Sequence, residues 1–425
     1  MNYLIILIFI VSIYYSFKYK FIQFKCFRKT KEILVNKKSK SAYSTFMVSL
    51  ANHIGVGNIV GVTTCIIIGG AGSLFWMVIF AVFSSVFSII ENTLSLKYRE
   101  NINGEYRGGA SYYIYKGLNY KILAIIIAVF LVLCNTVVFQ PLQVNTITNA
   151  LNIGFGISYE LIFLLLALFS IIFIFRGTKT IVRLSEIIVP IMSVSFLLIT
   201  ITVILINVNK LPFILWNVIK EAFNIKSVLS GGLIIGFKRS LFSHEAGLGT
   251  APTISAMSNE ENYINQGYVQ CFGVFFDTVI MCFLTGIMIL IFIDNYNCEN
   301  GYQLIVYIFQ KIFYFNERLG LFVAIIFMFS FGLATIISQY YIGESNLYFL
   351  SRGMKKDYIL TGYKMLYIFG LFIGVFLSLE NIFNIIDYGM IVLGIINIFV
   401  ITKLNVSFNE CLDIKKSNKS SVFVD

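Results

Sequence analysis

Two stretches of the 425-residue sequence combine glycine with polar side chains inside otherwise apolar surroundings. The first is Asn52-His53-Ile54-Gly55-Val56-Gly57-Asn58-Ile59-Val60-Gly61, and the second is Phe242-Ser243-His244-Glu245-Ala246-Gly247-Leu248-Gly249-Thr250-Ala251-Pro252. A helix that opens at such a point frees N–H groups, which attract anions, and C=O groups, which attract cations. That is the chemistry needed to hold a zwitterion and a small cation together. Small residues also let helices pack closely, but close packing alone does not call for the accompanying Asn, His, Ser and Glu. Gly55-Val56-Gly57 is a poor phosphate loop, because no strand precedes it and no P-loop lysine follows.

Other polar residues stand singly. Glu245 is an acid at membrane depth, which is costly unless paired or hydrated. It reads either as a gate or ion-site charge, or as a partner of Lys238 or Arg239 or a cap on an opened helix. His244 reads as a titrating group or as a hydrogen-bonded one. Gln143 and Asn145 lie in an apolar run and face either a ligand or a neighbouring helix. Asp277 is a lone acid, an ion or gating residue or a polar packing partner. Thr335, Ser338 and Gln339 fall near one helix face about a turn apart, and hydroxyl and carbonyl oxygens suit a hard cation. Catalytic arrangements are not apparent. His244-Glu245 lacks the second His of a zinc-peptidase motif, which would fall at Leu248, and the chain is read as no enzyme.

The elements that must position these residues follow from composition. Hydrophobic residues make up 58% and charged residues 12%, against about 45–50% and 25% in soluble domains, and the mean hydropathy is +0.84. Soluble enzymes, disordered scaffolds and free nucleic-acid binders are excluded, and an all-α integral membrane protein is expected. The seven cysteines are scattered, without metal-ligand spacing or a disulfide framework, and only two His are present.

A membrane-crossing helix needs about 20 apolar residues. Eleven candidate spans emerge, roughly 2–17, 42–68, 73–96, 121–150, 159–175, 186–207, 227–257, 268–293, 320–350, 360–379 and 383–403. The first lacks a basic leader and a small-residue cleavage site and is read as a retained helix. With the N-terminus outside and the C-terminus in the cytoplasm, inner segments carry 25 of the 32 Lys and Arg and outer segments five. The positive-inside rule thereby accounts for most of the +11 charge without nucleic acid. Residues 1–41 form an N-terminal helix with a basic loop, 42–207 and 208–404 two five-helix repeats, and 405–425 a tail. With the first helix set aside, the two glycine-broken spans are first and sixth of ten. These are equivalent places in an inverted repeat, where transporter sites are built.

At these segments the chain resembles the alanine/glycine:cation symporter family. Gly55-Val56-Gly57-Asn58-Ile59-Val60-Gly61-Val62 is similar to that family's G-T-G-N-I-A-G-V. Gly69-Gly70-Ala71-Gly72 with Phe75-Trp76-Met77 is similar to G-G-P-G-x-x-F-W-M, and Glu91, Leu94 and Lys97-Tyr98-Arg99 to E-x-x-L-x-x-K-Y-R. Leu241 through Gly249 resembles L-F-S-N-E-A-G-L-G. Thr335 through Glu344 resembles T-x-L-G-W-Y-Y-Y-G-E. The motifs run in order from about residue 40 to 400. Departures from the pattern include His244 in place of Asn, Gln339 in place of Trp, Ser338 in place of Gly, and Ala71 and Ala110 in place of Pro.

The resemblance implies a LeuT-like five-plus-five inverted repeat with one extra N-terminal helix. It also implies Na⁺-driven uptake of small neutral amino acids across a bacterial inner membrane, with no organic cofactor. Val56, Gly57 and Asn58 are expected to receive the substrate carboxylate. Gln143, Phe242, Ser243, Thr335 and Gln339 are expected to line the same pocket. The ion is expected at the Ile54 and Ala334 carbonyls, Thr335 and Ser338. Gln339 in place of Trp implies a less apolar pocket and admits a more polar small substrate. A proton-coupled carrier using His244 or Glu245, and a non-transporting amino-acid sensor, are the alternatives. Oligomeric state is not legible.

Overall fold

The computed structural model describes residues 2–35, 40–102, 104–174, 177–225, 231–293, 301–352 and 356–420. Lys37, Lys38, Arg176, Lys226 and Cys298, which enter the charge and cysteine readings above, lie outside the described residues. The chain is helical almost throughout: α1 Asn2–Lys18, α2 Cys26–Val35, α3 Lys40–His53, α4 Val60–Gly69, α5 Gly72–Tyr98 and α6 Ala110–Leu118, then α7 Lys121–Leu133, α8 Gln140–Phe155, α9 Tyr159–Ile174, α10 Thr178–Ile206 and α11 Leu211–Ala222. There follow α12 Gly232–His244, α13 Ala251–Ser255, α14 Tyr263–Val274, α15 Phe283–Phe292, α16 Gly301–Ile312, α17 Glu317–Leu350, α18 Lys356–Phe376, α19 Leu379–Lys403 and α20 Asn405–Ser420. One antiparallel hairpin, β1 Glu100–Ile102 and β2 Glu105–Arg107, pairs Glu100 with Arg107.

Among the described residues, seven helices are long and apolar enough to cross a membrane, and two bent pairs bring the number to nine. Two of the eleven expected spans fall outside these nine. Over 159–175 the apolar stretch is only Tyr159–Ile172, and 227–257 is broken at its glycine segment as expected, α12 stopping at His244. The expected inner loop at 176–183 is largely the start of α10, which begins at Thr178.

Burial is arranged as hydrocarbon solvent demands. Large apolar side chains such as Ile122, Ile191, Leu198 and Leu205 are exposed, whereas Asn58, Glu91, Asn92, Gln140 and Asp277 are fully buried. Polar groups at this depth must find partners inside the protein. The six described cysteines are free and buried.

Two spans change pitch on the way. α7 and α8 are joined by a π-helical turn, Cys134–Val138. Pro141 follows it, and its missing N–H and its ring clash with the carbonyl four residues back loosen that turn. α14 and α15 are joined by a second π segment, Phe275–Cys282. Such wide turns often re-aim side chains at functional sites. Here they sit just before Gln143 and around Asp277.

Candidate functional site

The first glycine segment opens as the sequence predicts. α3 ends at His53, Val56–Asn58 form a single 3-10 turn, and α4 leaves at an angle of 56°. Gly55 is required by contact. A Cβ there would stand 2.5 Å from Thr335 Oγ1 and 3.0 Å from Gln143 Oε1. The break is therefore pressed between α17 and α8, the helices that carry those two side chains.

Each pole of this break is met by a different kind of group. On the N–H side, the Val56 amide donates to Gln143 Oε1 at 3.1 Å. On the C=O side, Thr335 Oγ1 donates to the Ala51 carbonyl at 2.9 Å. Ser338 Oγ donates to the Thr335 carbonyl at 2.9 Å and lies 3.4 Å from Asn52 Oδ1. The last carbonyls of a helix have no partner within it, so the end of α3 presents oxygen to these hydroxyls. Ile54 and Ala334 are buried beside them. This oxygen-only set fits a hard monovalent cation, and among the described residues no cluster of three His, Cys, Asp or Glu offers a rival metal site.

The second segment breaks at Glu245, which has φ 50 and closes the C-terminus of α12, and the chain re-enters helix at α13. Its freed N–H groups are answered by the protein itself. Gly247 N donates to Glu91 Oε1 at 3.0 Å, and Gly249 N donates to Oε2 at 3.2 Å. Asn397 Nδ2 donates to the same carboxylate at 2.8 Å. Tyr113 in turn donates its hydroxyl to Asn397 Oδ1. The Glu91 carboxylate thus occupies the N–H pole of the second break. In the sequence Glu91 stood out only as part of the E-x-x-L-x-x-K-Y-R resemblance. The missed signal was an acid well inside a span. Glu91→Ala leaves three donors without an acceptor, at about 1–3 kcal/mol each. We expect a clear loss of thermal stability in detergent, with Glu91→Gln milder than Glu91→Ala. Equal stability of Glu91→Ala and the parent would contradict the capping role.

The two breaks are tied together by Asp277. Asn58 Nδ2 donates to Asp277 Oδ1 at 2.5 Å, and Ser243 Oγ donates to Oδ2 at 2.5 Å. Thr278 Oγ1 stands 2.9 Å from both Oδ2 and Ser243 Oγ. Asn58 Oδ1 is buried without a partner. Phe242 completes the junction, its ring 3.0 Å from where a Cβ on Gly57 would lie. A second bridge runs from Ser338 through Asn52, whose Nδ2 donates to Glu245 Oε2 at 2.9 Å. Glu245 is thus not partnered by Lys238 or Arg239. Lys238 pairs with Asp387 at 3.0 Å, and Arg239 pairs with the same carboxylate.

Other expected residues fall as follows. Gln143 reaches the break, whereas Asn145 Nδ2 donates to the Gly374 and Leu377 carbonyls, joining α8 to the end of α18. His244 is hydrogen-bonded at both nitrogens: Ala246 N donates to Nδ1 at 2.9 Å, and Nε2 lies 3.0 Å from Ser84 Oγ. Accepting at Nδ1 places the proton on Nε2. An Asn side-chain oxygen accepts from the N–H two residues on in the same way, which explains how His fits where the family motif has Asn. Gln339 is buried one turn along α17 from Thr335, and its Oε1 has no partner. Lys97, part of the K-Y-R motif, donates to Glu410 of α20 at 2.6 Å.

Residues 1–421 match the sodium:alanine symporter family. The chain belongs to that family. It is 30% identical to the amino-acid carrier protein AlsT of Bacillus subtilis, over 99% of this chain and 91% of that one. It is 32% identical to the probable sodium/glutamine symporter GlnT of the same organism, over 99% and 90%. It is 30% identical to the sodium/alanine symporter AgcS of Methanococcus maripaludis, over 82% and 78%. Within this family of transporters, the multi-pass architecture and the paired broken helices acquire a common purpose.

Proposed function

We propose that this member of the sodium:alanine symporter family carries a small neutral amino acid into the cell with Na⁺, by alternating access around the first break. The observation that carries this reading is the division of that break. Gln143 faces its N–H pole, and Thr335 and Ser338 face its carbonyl pole. The substrate carboxylate meets Val56, Gly57 and Asn58, and the ion meets the end of α3. Both ligands then act on one two-state element, as coupling requires. Residues 42–207 and 208–404 are read as inverted repeats, each contributing a broken helix, with the N-terminus outside.

Two ionic ties lie beyond the breaks and must loosen in turn. One joins Lys238 and Arg239 of α12 to Asp387 of α19. The other joins Arg107 of β2 to Glu344 of α17 at 3.6 Å and to Glu105 at 3.1 Å. Proton coupling through His244 is disfavoured by its two filled hydrogen bonds. A sensor that binds without transport shares the same pocket and differs only in lacking flux.

Binding and flux are therefore measured together. Na⁺ should raise the affinity of purified protein for labelled alanine, glycine or serine, and by reciprocity each should raise the affinity for Na⁺. Binding indifferent to Na⁺ would refute the shared break. Gln339 refines the substrate class, since its unpartnered Oε1 suits a side chain bearing a hydrogen-bond donor. Gln339→Trp should shift preference from serine or glutamine toward alanine, by about tenfold for one buried hydrogen bond. An unchanged substrate ranking would place Gln339 outside the pocket.

A further inference from the structure

We propose that the turn between α1 and α2, with the outer face of α2, grips the headgroups of anionic phospholipid in the inner leaflet. This rests on the membrane orientation proposed above. The chain leaves α1 through Lys20 and Phe21, two consecutive residues in the left-handed region with φ 51 and 52, and α2 departs at 66° to α1. α1 is apolar, and its 17 residues come to the lower end of a span's length, with the turn at its end. α2 is short and strongly two-faced, as an interfacial helix should be.

One face of α2 is docked on the protein. Thr30 Oγ1 donates to the Tyr268 carbonyl of α14 at 3.1 Å, Ile33 is buried, and the Phe27 ring packs on Phe275 at 4.9 Å. The other face and the turn collect Lys18, Lys20, Lys25, Arg28, Lys29 and Lys31 against one carboxylate, Glu32. Glu32 engages only two of these six, Arg28 at 2.9 Å and Lys29. Lys18 lies over the rings of Tyr14, Tyr15 and Tyr19 at 5.4–5.8 Å, and among the described residues no carboxylate forms an ion pair with it. Phe17 and Phe24 stand exposed beside these cations. Lysines at a span's end with exposed aromatics form the combination that anionic headgroups and the upper acyl region recognise together. A soluble anion would use the cations but not the rings, so the structure favours lipid. The grip has a mechanical address. α2 packs on the helix that runs on to Asp277, and Phe275 precedes that carboxylate by two residues.

The test uses the full chain in nanodiscs of phosphatidylcholine, with and without phosphatidylglycerol, and reads the melting temperature. Phosphatidylglycerol should raise it for the parent. The rise should be lost in Lys25→Gln/Arg28→Gln/Lys31→Gln and kept in Lys121→Gln/Lys179→Gln/Arg183→Gln, which removes equal charge from other exposed positions. Inorganic phosphate in place of the lipid should give no rise. A rise kept in the first triple variant, lost in both, reproduced by phosphate, or absent from the parent would overturn the proposal. Nanodiscs expose both faces, so these outcomes do not depend on orientation. Labelling Lys25→Cys in a Cys298→Ser background with an impermeant thiol reagent in intact cells tests orientation separately. No labelling until permeabilisation is expected, and labelling in intact cells would place the patch in the outer leaflet and overturn its assignment to the inner one.

Discussion

Asp277→Asn should lower Na⁺-driven uptake by about tenfold or more while leaving the protein folded. The carboxylate accepts from Asn58 on the first break and from Ser243 at the end of α12, each at 2.5 Å. Asparagine has the same shape but brings two N–H donors where the site already supplies donors. Its Nδ2 must therefore either oppose Asn58 Nδ2 or force the Ser243 and Thr278 hydroxyls, which now face a carboxylate oxygen, to accept instead, and losing buried hydrogen bonds to the carboxylate in this way costs about 1–3 kcal/mol. The cost falls on the junction of the two broken helices, the element that has to hold one geometry when occluded and another when open. The exchange variant Asn58→Asp/Asp277→Asn restores one carboxylate and one amide across the same gap and should recover part of the rate. A double-mutant cycle on uptake measures this directly. Parent-like transport by Asp277→Asn would remove Asp277 from the mechanism. An exchange variant no better than the single one would remove the pair.

Thr335→Val should weaken the apparent affinity for Na⁺ by about tenfold. Substrate affinity at saturating Na⁺ should change far less. Valine keeps the branched shape that fits beside Gly55, where the clearance is small, so packing is preserved and the hydroxyl alone is lost. That hydroxyl faces the Ala51 carbonyl at 2.9 Å, at the pole of α3 where a cation gains from the helix dipole. Ser338→Ala, one turn further along, should act in the same direction. Unchanged Na⁺ dependence in Thr335→Val would move the ion site away from α17.

The broken helices were legible because glycine and polar side chains at membrane depth contradict a plain apolar span, and that contradiction is local in sequence. The partners of these residues were not legible. Glu91 and Gly247, or Asn58 and Asp277, are separated by 156 and 219 residues, and no periodicity connects positions so far apart. Gln143 and Asn145 show the limit differently. Each is a polar residue in one apolar run, and each read as ligand-facing or as interhelical glue. Two residues on an α-helix turn about 200°, so the two side chains leave in nearly opposite directions, one to Val56 and the other to α18. A helix face could be inferred from the sequence, but which neighbour it meets is fixed only by tertiary packing. His244 conveys the same lesson. As a residue type it suggests titration, but its neighbours Ala246 N and Ser84 fill both ring nitrogens.

The central claim is that one break couples an ion gradient to amino-acid movement. It is tested most directly by uptake of labelled alanine, glycine and serine into proteoliposomes, with an inward Na⁺ gradient, with Na⁺ equal on both sides, and with choline replacing Na⁺ under a proton gradient. The account predicts accumulation above the external concentration only under the Na⁺ gradient. Accumulation driven by the proton gradient without Na⁺, or exchange that no gradient can drive uphill, would contradict it.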